Sequence, residues 1–239
     1  MYVVGNKRQH RAGFTLVELS IVLVIIGLLV GGVLVGQDLI KAAELKGTIS
    51  DIRNLQTAFI QFRDKYNCVP GDCAYQSKFF DVADGDGNRY IECGNAPPWC
   101  MAPINEHGVA YEVMHLAGLI RSSAATADGF EPTKLRECQL FMHSEFDDMY
   151  GAPDANFMHV TENLTASPWH QDCMTPEEAM QIDMKMDDGY AGTGALIGKS
   201  TTLTYSECAD EKWDEGAKYE AEYNTANSII ACTLFLQLD

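Results

Sequence analysis

A long stretch without a single charge dominates the N-terminal part of this chain. From Leu19 to Gln37 there is no Asp, Glu, Lys or Arg, and residues 20–35 are almost entirely aliphatic or glycine. Counted from Phe14, the stretch is long enough to cross a hydrocarbon core of roughly 30 Å at about 1.5 Å per helical residue. The sequence therefore predicts a helix that spans a membrane.

The charges on either side of this stretch indicate its orientation. Residues 1–13 contain three basic residues and no acid, and residues 14–66 are neutral overall. Residues 67–239 contain nine basic and 29 acidic residues, a net charge of −20. Because basic residues mark the cytoplasmic side of a membrane helix, we expect the acidic part to lie across the membrane. Its charge disfavours direct binding to nucleic acid.

A secretory signal peptide is the alternative explanation for an N-terminal apolar run that follows basic residues. Two features argue against it: the run is longer than the apolar centre of a typical signal peptide, and a carboxylate, Glu18, lies at its start. A charge at membrane depth costs about 2 to 3 kcal/mol and is usually retained for a partner. Glu18 therefore needs a functional explanation.

Residues 13–19, Gly-Phe-Thr-Leu-Val-Glu-Leu, lie between the basic leader and the apolar run. This pattern resembles the class III signal of type IV pilins and of the pseudopilins of type II secretion. In that family a membrane-embedded prepilin peptidase cuts after the glycine and methylates the new N-terminal phenylalanine. The resemblance implies cleavage between Gly13 and Phe14, methylation of Phe14, and a role in assembly for Glu18.

Cleavage would leave an ammonium group on Phe14. A buried cation and a buried carboxylate are each costly alone and tolerable together. In a growing filament, Glu18 of an incoming subunit could therefore meet the N-terminus of a neighbouring subunit.

The chain becomes amphipathic after the apolar run. Apolar side chains recur every three or four residues from Leu45 to Tyr66, on one face of an α-helix, and no proline interrupts residues 14–66. We expect one helix of 53 residues and an α+β fold, in which this pilin-like helix packs on a globular head with an antiparallel sheet and short helices. The predicted segments are a basic leader (1–13), a transmembrane and filament-core helix (14–37), an amphipathic helix (38–66) and an acidic head (67–239).

Local signals predict the elements of the head. Apolar periodicity predicts a second helix over 106–121, and a capping-box pattern at 175–178 starts a third helix that should end before Gly189. Residues with high β-propensity predict antiparallel strands over 195–205 and 228–238. Three short head segments are also similar to segments of a bacterial subgroup of prepilin-type proteins: 70–72, 84–88 and 183–189.

All eight cysteines lie beyond the membrane-spanning stretch. An even number in a translocated region indicates periplasmic disulfides, although the sequence alone leaves many pairings open. A zinc site is the alternative, but the chain contains no Cys-x-x-Cys. The pairing of sequence neighbours joins Cys68 with Cys73, Cys93 with Cys100, Cys138 with Cys173, and Cys208 with Cys232.

A glycine-rich acidic loop offers oxygen ligands at Asp84, Asp86 and Asn88. Calcium sites use such ligands, but the spacing does not fit an EF-hand because the closing glutamate is out of register. A solvated turn is the first interpretation of this loop, and a calcium site is the alternative. No other cofactor is expected.

Patterns typical of enzymes are weak in this sequence. Asp183 and Asp187 could share a helix face, like the paired carboxylates of glycoside hydrolases. However, Asp187 and Asp188 come just before the predicted end of that helix, where the turn and Lys185 can satisfy them. Neither His-Glu-x-x-His nor Gly-x-Ser-x-Gly occurs, so no catalytic residue is predicted.

The resemblance implies a structural function: an inner-membrane prepilin or pseudopilin that assembles through its N-terminal helix into a type IV pilus or a type II secretion pseudopilus. Its expected partners are other pilin subunits, prepilin peptidase, the inner-membrane assembly platform and membrane lipid, with the head in the periplasm or outside the cell. One alternative is a minor pseudopilin of a secretion or DNA-uptake machine. Another is a membrane-tethered adhesin or enzyme head that uses the same signal.

Overall fold

The chain forms one long helix followed by a mixed α+β region. A computed structural model describes residues 15–92, 106–121, 130–136, 138–145, 155–162, 172–200, 207–209 and 221–238. The long helix, α1, spans Leu16–Tyr66, so the predicted uninterrupted helix is confirmed. The chain divides into two compact units, Met1–Ala43 and Glu44–Asp239, and the division falls inside α1.

The remaining elements all belong to the second unit. A short 3-10 helix at Gln76–Lys78 follows the turn after α1. In chain order the others are α2 (Glu106–Leu116), β1 (Phe130–Pro132), β2 (Cys138–Glu145), β3 (Ala155–Glu162), α3 (Pro176–Met186), β4 (Leu196–Lys199) and β5 (Thr233–Gln237).

The five strands form one antiparallel sheet in the order β1-β2-β3-β5-β4. β2 and β3 are its longest pair, with Cys138 opposite Glu162. β4 pairs with β5, with Leu196 opposite Leu236. This sheet and the short helices confirm the predicted α+β, pilin-like fold class.

The core of the second unit lies between α1 and one face of the sheet. The amphipathic face predicted for α1 is buried from Leu45 to Phe62, and the tilted ring of Tyr66 contacts Phe62 with ring centroids 4.6 Å apart. Leu140, Met158 and Leu234 belong to the same buried cluster. The spacing of three and four residues therefore identified the side of α1 that packs on the head.

Strands β1, β2 and β3 were not predicted from the sequence. Seven consecutive residues of β3 are buried, including polar Asn156, His159 and Thr161. A strand buried on both faces has no alternation of polar and apolar residues to reveal it. The extent of the second helix was also wrong: α2 ends at Leu116, because Gly118 adopts a positive φ of 74° in the turn that follows.

Three disulfides join sequence neighbours in the described residues. Cys68 bonds to Cys73 in the turn after α1, and the other two pairs are Cys138 with Cys173 and Cys208 with Cys232. The partners are the same as in the neighbour pairing considered from the sequence. Cys93 and Cys100 lie outside the described residues.

We expect the Cys138–Cys173 bridge to stabilise the second unit more than the Cys68–Cys73 bridge does. The two bridges span sequence separations of 35 and 5, and loop-closure entropy assigns them about 4 and about 2 kcal/mol. The measurement is urea unfolding of the detergent-solubilised full chain, comparing the two double Cys→Ala variants with the unchanged chain. Equal losses of unfolding free energy would contradict this expectation.

Candidate functional site

The first half of α1 exposes its large aliphatic side chains. Between Leu16 and Ile40 the exposed fraction of these side chains ranges from 49% at Val22 to 86% at Leu16. Among the described residues, α1 alone is long and apolar enough to cross a membrane, and none of its most apolar window is buried. This rules out the core helix of a soluble protein as the explanation, since such a helix would be buried. Lipid or other protein chains must cover this surface.

Thr15 and Glu18 form a capping box at the N-terminus of α1. The Thr15 backbone N–H donates to Glu18 Oε2 at 2.8 Å, and the Glu18 N–H donates to Thr15 Oγ1 at 3.2 Å. The Thr15 hydroxyl also donates to Glu18 Oε2, at 2.9 Å. The cap satisfies two backbone donors that an unpartnered helix end would leave open.

The sequence analysis missed the role of Thr15, although the spacing Thr-x-x-Glu is itself the signature of a capping box. Both bonds to the Glu18 carboxylate end on Oε2. Within the described part of the chain, Glu18 Oε1 accepts no hydrogen bond. The cap thus orients the carboxylate and leaves one oxygen available.

Three carboxylates converge in the head. Oxygen atoms of Asp72, Asp86 and Glu106 all lie within 4.8 Å of one another. Asp72 is 2% exposed and Glu106 is 4% exposed. Asp72 accepts backbone N–H bonds from the loop at Gly87 (2.7 Å), Asn88 (3.2 Å) and Arg89 (2.7 Å). Glu106 accepts them from Asp86 (3.3 Å) and Glu92 (2.9 Å).

Burial changes the protonation of two of these groups. It raises the pKa of Asp72 to about 6, although the N–H donors of Arg89 and Gly87 oppose the shift. Burial also raises the pKa of Glu106 to about 7, and the negative charge of Asp72 adds to that increase. At neutral pH Glu106 is therefore close to half protonated.

The three residues proposed as calcium ligands, Asp84, Asp86 and Asn88, have different partners in the structure. The Asp84 carboxylate accepts bonds from the Ser77 N–H (2.7 Å) and hydroxyl (2.8 Å). The Asn88 amide donates to Asp86 Oδ2 at 3.1 Å. Of the three, only Asp86 belongs to the convergent group, which Asp72 and Glu106 complete. The sequence analysis did not name Asp72 as a ligand, although it noted the Pro-Gly-Asp segment at 70–72 that contains this residue. Calcium binding stays a prediction.

A second acidic group, Asp183, Asp187 and Asp188, holds the connection between α3 and β4. Asp183, whose pKa burial raises to about 6, accepts bonds from the Tyr223 hydroxyl (2.8 Å) and the Gly189 N–H (3.0 Å). The Leu196 N–H donates to the Asp187 carboxylate at 2.9 Å, and the Thr193 hydroxyl donates to the Asp188 carboxylate at 2.6 Å. These bonds give all three carboxylates a structural role.

A side chain at Gly194 in this connection would be strained. Gly194 has a φ of +76°, and a Cβ there would collide with the Asp187 carboxylate. The position of the Asp187 carboxylate therefore requires a glycine at residue 194.

Comparison with known proteins identifies the N-terminal region. Residues 8–34 match the family model described as the prokaryotic N-terminal methylation motif. The chain carries a prepilin-type signal. No curated protein and no solved structure matches the chain.

The prepilin-type signal includes the capping box. Gly13 and Phe14, where the resemblance places cleavage and methylation, lie within the matched residues but outside the described ones. Thr15 and Glu18 lie within both. The signal thus continues directly into a capped helix whose apolar side chains are exposed.

We expect Thr15→Val to loosen the first turn of α1. The change removes the hydroxyl that accepts the Glu18 N–H, and loss of such a cap costs about 1 kcal/mol, or about a fivefold faster amide exchange. Hydrogen exchange of the Glu18 amide in the detergent-solubilised chain measures it. Thr15→Ser keeps a hydroxyl and serves as the control, so equal exchange in both variants would argue against the cap.

The stability of the head should fall as the pH rises from 5 to 8. A carboxyl whose folded-state pKa is raised favours folding when protonated, and this advantage disappears as the pH passes through the folded-state pKa, about 7 for Glu106. Glu106→Gln should therefore reduce the loss of unfolding free energy over this range by roughly 1 to 2 kcal/mol.

The test is urea unfolding of the full chain at several pH values, in buffer that contains a chelator so that no cation screens the carboxylates. Glu177→Gln is the matched control, because Glu177 is an exposed glutamate in the first turn of another helix, α3. Identical pH profiles for the unchanged chain and Glu106→Gln would contradict the raised pKa.

Proposed function

We propose that this chain is a filament subunit of the type IV pilin and pseudopilin class. Prepilin peptidase cleaves it between Gly13 and Phe14 and methylates Phe14. The mature subunit stays anchored in the inner membrane, with its N-terminus on the cytoplasmic side and its head in the periplasm. It then assembles through α1 into a type IV pilus or a type II secretion pseudopilus.

The observation that carries this proposal is the exposed apolar half of α1 directly after the prepilin-type signal. Such a surface is stable in lipid before assembly and against the helices of neighbouring subunits after it. A conventional signal peptide would be removed with this segment. A prepilin-type cut instead leaves the whole segment on the mature protein.

Glu18 supplies the second support. The capping box holds Oε2 and leaves Oε1 without a bond in the described chain. After cleavage, the ammonium group of Phe14 on a neighbouring subunit is a cation of matching charge. Pairing the two offsets the cost that each would have alone in an apolar filament core.

The structural role of the head carboxylates favours a subunit over an enzyme. The acidic segment 183–189 is occupied with hydrogen bonds to its own loop and to Tyr223. A minor subunit of a secretion or DNA-uptake machine uses the same signal and the same helix. The fraction in which the processed chain is found distinguishes these roles.

The proposal predicts a mature chain that begins at N-methylated Phe14. The measurement is N-terminal and intact-mass spectrometry on the membrane fraction and on the sheared surface fraction of the native cells. Processed chain in the sheared fraction supports export in a filament, and processed chain confined to membranes supports a short pseudopilus or a minor subunit. An N-terminus downstream of the apolar run would overturn the proposal.

Glu18→Gln is the sharpest companion variant. Glutamine keeps an oxygen that can accept both Thr15 bonds, but it removes the negative charge. We expect normal cleavage at Gly13 and strong loss of the chain from the sheared fraction. Loss of cleavage would instead place the role of Glu18 in processing.

A further inference from the structure

A groove with basic walls lies along the second half of α1, within the second unit. It has a volume of about 550 Å³. Positions 46, 50, 53 and 54 of α1 form one helical stripe along it, and the end of α3 closes the other side. The groove is lined by Lys46, Ile49, Ser50, Arg53, Asn54 and Lys185.

Its three cations lack acidic partners in the part of the chain that the structure describes. Arg136, for comparison, pairs with Glu178 at 2.9 Å, whereas no ion pair joins Lys46, Arg53 or Lys185 to a described carboxylate. Arg53 instead donates to the Lys185 backbone carbonyl at 2.7 Å, which holds its guanidinium across the groove. Acids outnumber bases 34 to 17 in this chain, so three cations that line one groove form a local basic patch.

An acidic loop of the same unit has the opposite character. Asp81, Asp84 and Asp86 are all exposed and fall within six residues. The bonds to Asp84 and Asp86 come from neutral donors of Ser77 and Asn88, and the nearby cation Lys78 offsets only part of the charge of Asp84. The loop is also fixed in position, since the Gly85 N–H donates to the Cys73 carbonyl at 3.1 Å.

We propose that the groove of one subunit binds the loop around Asp81, Asp84 and Asp86 of a second copy of this chain. The inference rests on the proposed filament function and adds to it a contact between the second units, Glu44–Asp239, of two subunits. Groove and loop are different surfaces of one subunit, so the contact is heterologous. A heterologous contact that does not close into a ring repeats into a helical filament.

Charge favours a second copy over an anionic membrane surface. Lipid recognition uses clusters of about four to eight basic residues, and this groove has three. The acidic loop of another subunit places its negative charges where the groove is positive.

Carbodiimide coupling in filaments on intact cells tests this contact. The reagent activates a carboxylate, and the amine of a lysine in contact attacks it, forming an amide while the reagent leaves as a urea. Cross-linked dimers are separated under denaturing, reducing conditions and mapped by mass spectrometry. We expect amides that join Lys46 or Lys185 to Asp81, Asp84 or Asp86.

The matched variants are Lys46→Glu with Lys185→Glu, and Lys65→Glu as the control. Lys65 is an exposed lysine of the same helix that lies over the Tyr66 ring, 5.0 Å from its centroid, and outside the groove. The groove variant should lose the dimer about tenfold, and the control should stay within about twofold. Adding Asp81→Lys to the groove variant should restore dimers, with the new lysine coupled to Glu at 46 or 185.

The outcomes separate this inference from the proposed function. Filaments that contain processed chain but no coupling between groove and loop would overturn the inference alone. The inference is also overturned if the groove lysines couple to other carboxylates, to another protein or to nothing. Unprocessed chain without filaments would overturn the proposed function, and the inference with it.

Discussion

The exposed apolar half of α1 is the constraint from which the other features follow. Aliphatic side chains such as Leu28, 74% exposed, and Leu23, 69% exposed, cannot remain in water at an acceptable free energy. Lipid and the apolar helices of other protein chains are both suitable surroundings for them. The prepilin-type signal matches residues 8–34, and the proposed cleavage between Gly13 and Phe14 would keep this segment on the mature protein. The second half of α1 has a different environment, because Phe59 and Phe62 are completely buried within the head.

Glu18 shows how a costly charge can be prepared for a partner. Thr15 binds one carboxylate oxygen through two hydrogen bonds, and the backbone N–H of Glu18 returns a bond to the threonine hydroxyl. A carboxylate near a helix N-terminus is also favoured by the helix dipole. The helix end therefore stabilises the charge within the subunit itself, and the proposed pairing with a neighbouring ammonium would add to that stabilisation.

The acidic segments of the head build its loops. Asp72 and Glu106 gather the backbone N–H groups of the loop that follows the first disulfide, and Asp183 joins α3 to Tyr223 far along the chain. Burial of these carboxyls raises their pKa values toward neutrality. The carboxyl groups that hold these loops therefore change protonation at about pH 6 to 7, and the stability of the head depends on pH in that range.

The sequence by itself determined the membrane-spanning helix, its signal and its amphipathic continuation. These features are local: a run without charges, a short motif and a spacing of three and four residues are all read from neighbouring positions. The sequence also contained the capping boxes at Thr15 and Thr175, since each depends on two residues three apart. Only the tertiary structure decided that β2 and β3 form the centre of the sheet, because buried polar residues such as Asn156 hide the alternation of a strand. It alone brought Glu106 to Asp72 and Lys185 to Arg53, residues that are distant in the chain and meet only after the head has folded.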